Sequence, residues 1–213
     1  MMIAYLSTYQ EKLLTALVQH LQIVGITLLI SILLAFAITL LSIRSERLVN
    51  AAIQIFSVIY SIPSLALFAI LIPIMGIGRN TAIFVLVLYN QFLLLRNFMA
   101  GLKGVDEPVL EAAMGMGMNQ WQILYKVKLP LALPVIMAGI HLAIISTIGI
   151  ATIAATINAG GLGTILFDGL RTMNTYKILW GTIFCAGIAW AADVLLQMIE
   201  SILYKKVGFK HEL

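Results

Sequence analysis

Residues 111–130 read EAAMGMGMNQWQILYKVKLP, a polar, glycine-punctuated stretch set between long apolar runs. Just upstream, Asp106-Glu107-Pro108 is a helix start: proline suits the first turn, and acids complement the positive end of the helix. The pattern predicts a short helix over 108–114 carrying Glu111, Ala112 and Ala113, with Gly115 and Gly117 ending it. Asn119, followed three residues later by Gln122, fits a capping box for a second short helix. Pro130 is expected to close that helix as the next apolar run opens. The product is two short helices at an angle. Ala112 and Ala113 are small enough to let a helix seat in a groove on a partner, where Glu111 could make a charge-assisted bond.

The flanks decide the solvent. Of 213 residues, 62% are apolar and 10% charged, with a mean hydropathy of +1.04. Soluble domains carry about 25% charged residues, so this chain lacks the polar surface a water-facing globule needs. It is expected to be an all-α, polytopic membrane protein, with 1–213 forming a single transmembrane domain. Five runs approach the roughly 20 residues that cross a bilayer: 21–43, 51–75, 81–95, 131–153 and 178–204, the third being short. Residues 1–19 alternate polar and apolar types and are expected to form a short N-terminal interfacial helix, with no cleaved leader. Residues 101–130 form the loop. With the N-terminus outside, nine basic residues fall inside (Arg44, Arg47, Arg96, Lys103, Lys126, Lys128, Lys205, Lys206, Lys210) against four outside (Lys12, Arg79, Arg171, Lys177). That bias favours an external N-terminus and a cytoplasmic loop. It also explains the sequence pI near 9.3 without nucleic acid. The single cysteine, Cys185, lies in an apolar run and reads as packing.

Polar residues inside the runs fall on faces. Asn50, Gln54, Ser57, Ser61 and Ser64 recur at steps of four and three, one side of a helix, beside a kink expected at Pro63. His141, Gly149, Thr152 and Thr156 form a similar face on the fourth run. In lipid such faces must meet protein or water, so they either line a path shared with a second copy or bond helices together. His141 alone reads more readily as packing than as a ligand, and no metal-ligand spacing surrounds it. Asp193, Gln197 and Glu200 share a face of the fifth run, with Asp193 about 18 Å from Lys205 at 1.5 Å per residue. A carboxylate at that depth requires a partner, and an interhelical bond is favoured over a proton relay. Asn158, Gly160, Gly161 and Gly163 mark a tight external turn. The chain has no GxxxxGK[ST] stretch and no paired nucleophile and base, so it reads as non-enzymatic.

The spacing of Glu111-Ala112-Ala113, Gly117, Val127 and Leu129-Pro130 resembles the EAA motif of bacterial ABC importer permeases, Val127 standing where that pattern has Ile. The segments SIPSLALFAILIP (61–73), GIGRNTA (76–82), LRN (95–97), LPLALPVIMAGI (129–140) and TIGIATIAATINAGGLG (147–163) extend the likeness. Together they are similar to the permeases of osmoprotectant importers for glycine betaine, carnitine and choline. That family departs from this chain at Leu93, where proline is usual, at His141, where arginine is frequent, and near Ile145-Ser146, where a bulky aromatic is usual.

The resemblance implies a type I (MetI-like) importer fold and a multi-pass bacterial inner-membrane location. It implies a second permease copy, identical or not, two ATPase subunits that bind ATP and Mg, and a separate extracellular substrate-binding protein. Glu111, Ala112, Ala113, Gly115, Gly117, Val127, Leu129 and Pro130 become the ATPase-coupling residues. Asn158, Gly160, Gly161 and Gly163 become an outer gate or binding-protein contact. For a quaternary amine, Phe56 and Tyr60 are aromatic candidates beside the Gln54, Ser57, Ser61, Pro63, Ser64 face. The rivals are a permease for an amino acid or other small organic ion, and an ATP-independent channel or carrier.

Overall fold

The computed structural model describes residues 2–41 and 45–207. The expected end of the first span at Ile43, and the basic residues Arg44 and Lys210, lie outside the described residues. The described residues are helical, with no strand among them: α1 (Met2–Leu40), α2 (Glu46–Ser61), α3 (Ser64–Met75), α4 (Arg79–Lys103), α5 (Glu107–Gly115), α6 (Gln120–Ile123), α7 (Leu129–Ile153), α8 (Gly163–Arg171) and α9 (Thr175–Val207). Among the described residues, four helical stretches are long and apolar enough to cross a bilayer alone, and the bent pair α2–α3 is a fifth candidate, as a broken span or a re-entrant loop.

Three expected boundaries move. The expected N-terminal helix of residues 1–19 is divided differently, at Tyr9. The chain kinks there (φ −115°, ψ 18°), where two helices meet, and residues 10–19 continue straight into the span, with Leu13 and Ala16 buried against Leu162 and Ile165. The second span is not one kinked helix but two, meeting at 100°. Ile62 (φ −73°, ψ 130°) and Pro63 (φ −55°, ψ 134°) are both extended, since a residue before proline is pushed out of the helical region. The Tyr89 hydroxyl donates to the Ile62 carbonyl freed by the break, satisfying a group that lipid would leave bare. The third span is not short. It runs to Lys103, with Asn97 Nδ2 bonding back to the Leu93 carbonyl at 2.7 Å.

This third span is the centre of the molecule. Its most apolar window is 61% buried, against 6% for α9, so α4 is the post and α9 the periphery. One core joins Ile23, Phe68, Val85, Leu86 and Ile148, and a second joins Ala35, Leu94, Leu95, Phe98 and Ala143. Small residues let α4 and α7 approach: a Cβ on Gly101 would meet the Ala132 carbonyl oxygen at 3.0 Å, and one on Gly139 would meet Asn97 Cβ at 2.5 Å. Close backbone approach of this kind replaces the hydrophobic drive that lipid removes.

The helix α8, expected only as loop, lies at the end of the bundle opposite α5 and α6. Its Asp168 bonds Lys177 Nζ at 2.7 Å and Arg171 Nη2 at 3.1 Å, with Lys12 Nζ at 3.9 Å. Lys177 and then Arg171 hold this carboxyl below its usual 3.8. Its contribution is therefore complete above that value and is lost only as pH falls through the depressed one.

Candidate functional site

The loop between α4 and α7 folds as two capped helices. At the end of α5, Met118 N–H donates to Ala113 O (3.2 Å) and Gly117 N–H to Met114 O (2.9 Å). This is the paired bonding of a Schellman end, and it requires the left-handed backbone that Gly117 adopts (φ +78°). The interval from Ala113 to Gly117 thus has a local cause. Gly115 stays helical as the last residue of α5. Two residues beyond Gly117, the Asn119 side chain accepts from Gln122 N–H and Gln122 Oε1 accepts from Asn119 N–H, both at 2.9 Å. That is the reciprocal box expected from sequence.

Pro130 does not close the second helix. A π-helical segment, Leu124–Lys128, carries it straight into α7, with Leu129 N–H bonding Leu124 O five residues back. The wider turn relieves the clash that a proline ring makes with the carbonyl four residues earlier. Val127, Leu129 and Pro130 are half-buried in this joint, next to the buried Leu124.

The two alanines part company. Glu111 and Ala112 are exposed, but Ala113 is only 1% exposed. Ala113 is therefore a packing residue of the loop, and Ala112 holds the open position. Sequence reasoning missed the rest of the surface: Val109, Met114, Met116, Trp121 and Tyr125 are all exposed, Met116 at 71%. The Trp121 and Tyr125 rings stack with centroids 6.0 Å apart. Their spacing of four was the available sign. Exposed apolar patches of this kind are, in general, features of interaction surfaces.

Within the spans, Gln54, Ser61 and Thr156 are exposed on the single chain, while Ser57, Ser64 and Thr152 are half-buried. Three hydroxyls turn back to their own helices: Ser61 to Val58 O, Thr152 to Gly149 O and Thr156 to Ile153 O, each at 2.7 Å. Phe56 packs against the Leu94–Phe98 core. Tyr60 packs on Tyr89 and Phe92, with centroids 5.5 and 5.0 Å apart. Both aromatics thus bind α2 to α4. His141 Nε2 lies 3.0 Å from Asp193 Oδ1, and Gln197 Nε2 donates to Asp193 Oδ2 at 3.0 Å. The deep carboxylate has the interhelical partner its position demands.

A second polar group escaped the sequence reading. Asn90 is 1% exposed, and its Nδ2 reaches Thr147 Oγ1 at 2.8 Å and Ser31 Oγ at 3.3 Å. Beside it, Gln91 Nε2 bonds Ser31 O at 3.2 Å. These bonds tie α1, α4 and α7 together. Asn90→Ala is expected to lower stability by about 1–2 kcal/mol, since it takes the amide partner from the buried Ser31 hydroxyl and breaks the bonds between helices, although Thr147 keeps its own bond to Ala143 O. Thermal unfolding in detergent checks this, and a midpoint equal to the parent's would show the network contributes nothing.

The glycine turn packs inward rather than outward. Gly161 N–H donates to Gln19 Oε1 at 3.1 Å, and a Cβ at Gly160 would meet that oxygen at 2.6 Å. Gly161 and Gly163 are buried; only Asn158, in the left-handed region at φ 62°, is exposed. Among the described residues, no group of acidic, histidine and cysteine side chains is arranged to hold a metal ion.

Residues 27–209 match the family of binding-protein-dependent transport system inner membrane components. A carnitine transport permease protein of Listeria monocytogenes is 45% identical over 161 residues, covering 75% of this chain and 72% of the relative. A glycine betaine/carnitine/choline transport system permease protein of Bacillus subtilis is 35% identical over 199 residues, covering 93% and 92%. The inward-facing MetNI methionine ABC transporter superposes with a TM-score of 0.79 over 94% of this chain and 98% of that one, at 21% identity. The last comparison speaks to fold alone. Members of the matched family are not enzymes; they work with a separate ATPase and a substrate-binding protein. The chain belongs to the binding-protein-dependent transport system inner membrane components, as a multi-pass permease subunit of a bacterial inner-membrane ABC importer.

Proposed function

We propose that this permease carries a quaternary-amine compatible solute: glycine betaine, carnitine or choline. The observation that carries the reading is the 45% and 35% identity to permeases named for those solutes, the latter over nearly the whole chain. A methylated ammonium offers no N–H to donate, so weak, mildly polar contacts suffice along a path and suit release. High affinity then belongs to the separate extracellular binding protein. The test is uptake of labelled carnitine, glycine betaine and choline by the complete importer in a host lacking its own systems, with methionine as competitor. Failure to take up any of the three amines, together with uptake of labelled methionine by the same importer, would replace this reading with an amino-acid importer.

The working unit is two permease copies and two ATPases, which bind the ATP and Mg. Glu111, Ala112 and the exposed Met114, Met116, Trp121 and Tyr125 form the ATPase contact. The Gln54–Ser64 and His141–Thr156 faces line the central path, where exposed polar groups in lipid find water or the second copy. The N-terminus is external. In a Cys185→Ala background, Thr172→Cys and Met116→Cys are expected to label from opposite sides, and Ser57→Cys and Thr152→Cys to block uptake once modified. Labelling of Thr172→Cys and Met116→Cys from one side would refute the orientation. Inert cysteines at 57 and 152 would make those faces helix contacts only.

A further inference from the structure

Between α1 and α7, backed by α4, a crevice of about 240 Å³ opens at the end of the bundle that bears the coupling loop. Its walls are apolar: Ile32 and Phe36 on α1, Phe98 on α4, Leu133 and Ile136 on α7. The exception is Thr39, which is 4% exposed and whose hydroxyl has no hydrogen-bond partner among the described residues. Thr39 sits one residue before the end of α1, at the depth where hydrocarbon gives way to polar headgroups. A wholly apolar cavity stays dry, and a buried hydroxyl without a partner is unfavourable. One kind of molecule answers both conditions: a long apolar body with an acceptor at its polar end. A compact methylated cation has no such body. At the same end of the bundle, the basic residue Lys128 immediately precedes the lining residue Leu129, so a cation lies near the crevice mouth.

We propose that this crevice holds one acyl chain of an inner-leaflet glycerophospholipid. Its ester carbonyl accepts from Thr39 Oγ1, and its phosphate lies level with Lys128. One wall of the crevice is α7, which runs unbroken into the coupling loop, so the lipid sits against the element that the ATPase moves. The leaflet follows from the loop facing the ATPase; the site itself is independent of which solute is carried.

The test reads lipid occupancy, not transport, so its failure is distinct from failure of the solute assignment. The complete importer is placed in phosphatidylethanolamine–phosphatidylglycerol bilayers doped with a phospholipid bearing a diazirine on its acyl chain. After irradiation, adducts are mapped by peptide mass spectrometry. Adducts are expected to concentrate on residues 32–40 and 129–140 over the exposed, lipid-facing Leu195 on α9. Thr39→Val, nearly isosteric, is expected to weaken that labelling by about fivefold, the equivalent of one hydrogen bond. Leu133→Trp fills the space and is expected to abolish it. If Leu133→Trp fails to assemble, the parent map and Thr39→Val still decide. Uniform labelling of the crevice and α9 would overturn the proposal. So would displacement by a fatty acid lacking phosphate, or protection by saturating carnitine, which would make the crevice part of the solute path.

Discussion

Ala112→Trp is expected to cut solute uptake by about tenfold or more while the permease inserts and folds as before. The side chain at 112 points away from the chain's own packing, beside the exposed Glu111 and the Met114–Tyr125 patch. An indole there meets only the docked partner. Overpacking of this kind costs about 1–3 kcal/mol, and 1.4 kcal/mol is a tenfold change in an equilibrium. The neighbouring change is expected to behave differently. Ala113 is buried and anchors the Schellman end through its carbonyl, so Ala113→Trp disrupts the loop itself and lowers thermal stability along with uptake. Uptake, substrate-stimulated ATPase activity and the melting midpoint, measured on both variants, separate the two. Full transport by Ala112→Trp would remove this face from the ATPase contact.

The two alanines mark how far the sequence was legible. Adjacent residues on a helix point about 100° apart, so Ala112 and Ala113 could not both face the partner. Which one turned inward depended on what lay behind the loop, and no local pattern records that. Local signals read correctly: the Gly117 end and the Asn119–Gln122 box are settled within a few residues and appear as expected. The third span was cut short at Leu95 because Arg96 and Asn97 read as its edge. Yet Asn97 satisfies its own amide from Leu93, so the helix passes through. Pro63 broke a span completely and Pro130 broke nothing. The difference is a π turn beneath one proline and a tyrosine hydroxyl capping the carbonyl before the other, both set by tertiary context. Asn90 was passed over because a single amide in an apolar run has no periodicity, although its partners Ser31 and Thr147 were present in the sequence.

Gly163→Ala is expected to be the most damaging small substitution in the chain. A Cβ there would collide with the Thr152 carbonyl oxygen and stand 2.7 Å from the Thr152 carbonyl carbon and 2.8 Å from Ala155 Cβ. Two of those are backbone atoms at the end of α7, which cannot rotate aside. The start of α8 must therefore lift away, and with it the contacts of Leu162 and Ile165 to Leu13 and Ala16. A loss of about 3 kcal/mol or more is expected, at or above the upper end for overpacking. Gly149→Ala is the control, since nothing lies within 4 Å of its added Cβ; it should be neutral or stabilising through helix propensity. Midpoints for the two variants that agree within about 1 kcal/mol would mean the turn yields more easily than its geometry indicates.

The π joint makes one rod of what the sequence presented as a loop and a span. From Gln120 to Ile157 the chain is a helical run of 38 residues, about 57 Å long at 1.5 Å per residue. Were an ATPase to grip its loop end, as proposed, such a rod would act as a lever. Pivoting where α4 packs on it, near residues 139–143, the rod has a far arm of about 24 Å, so a tilt of about 12° would carry the far tip sideways by about 5 Å, roughly the width of a methylated ammonium. The gear ratio between nucleotide and gate would then be set by where α4 bears on the rod, at Gly139 and Ala143, so that moving this fulcrum by one turn would retune the stroke without touching either end.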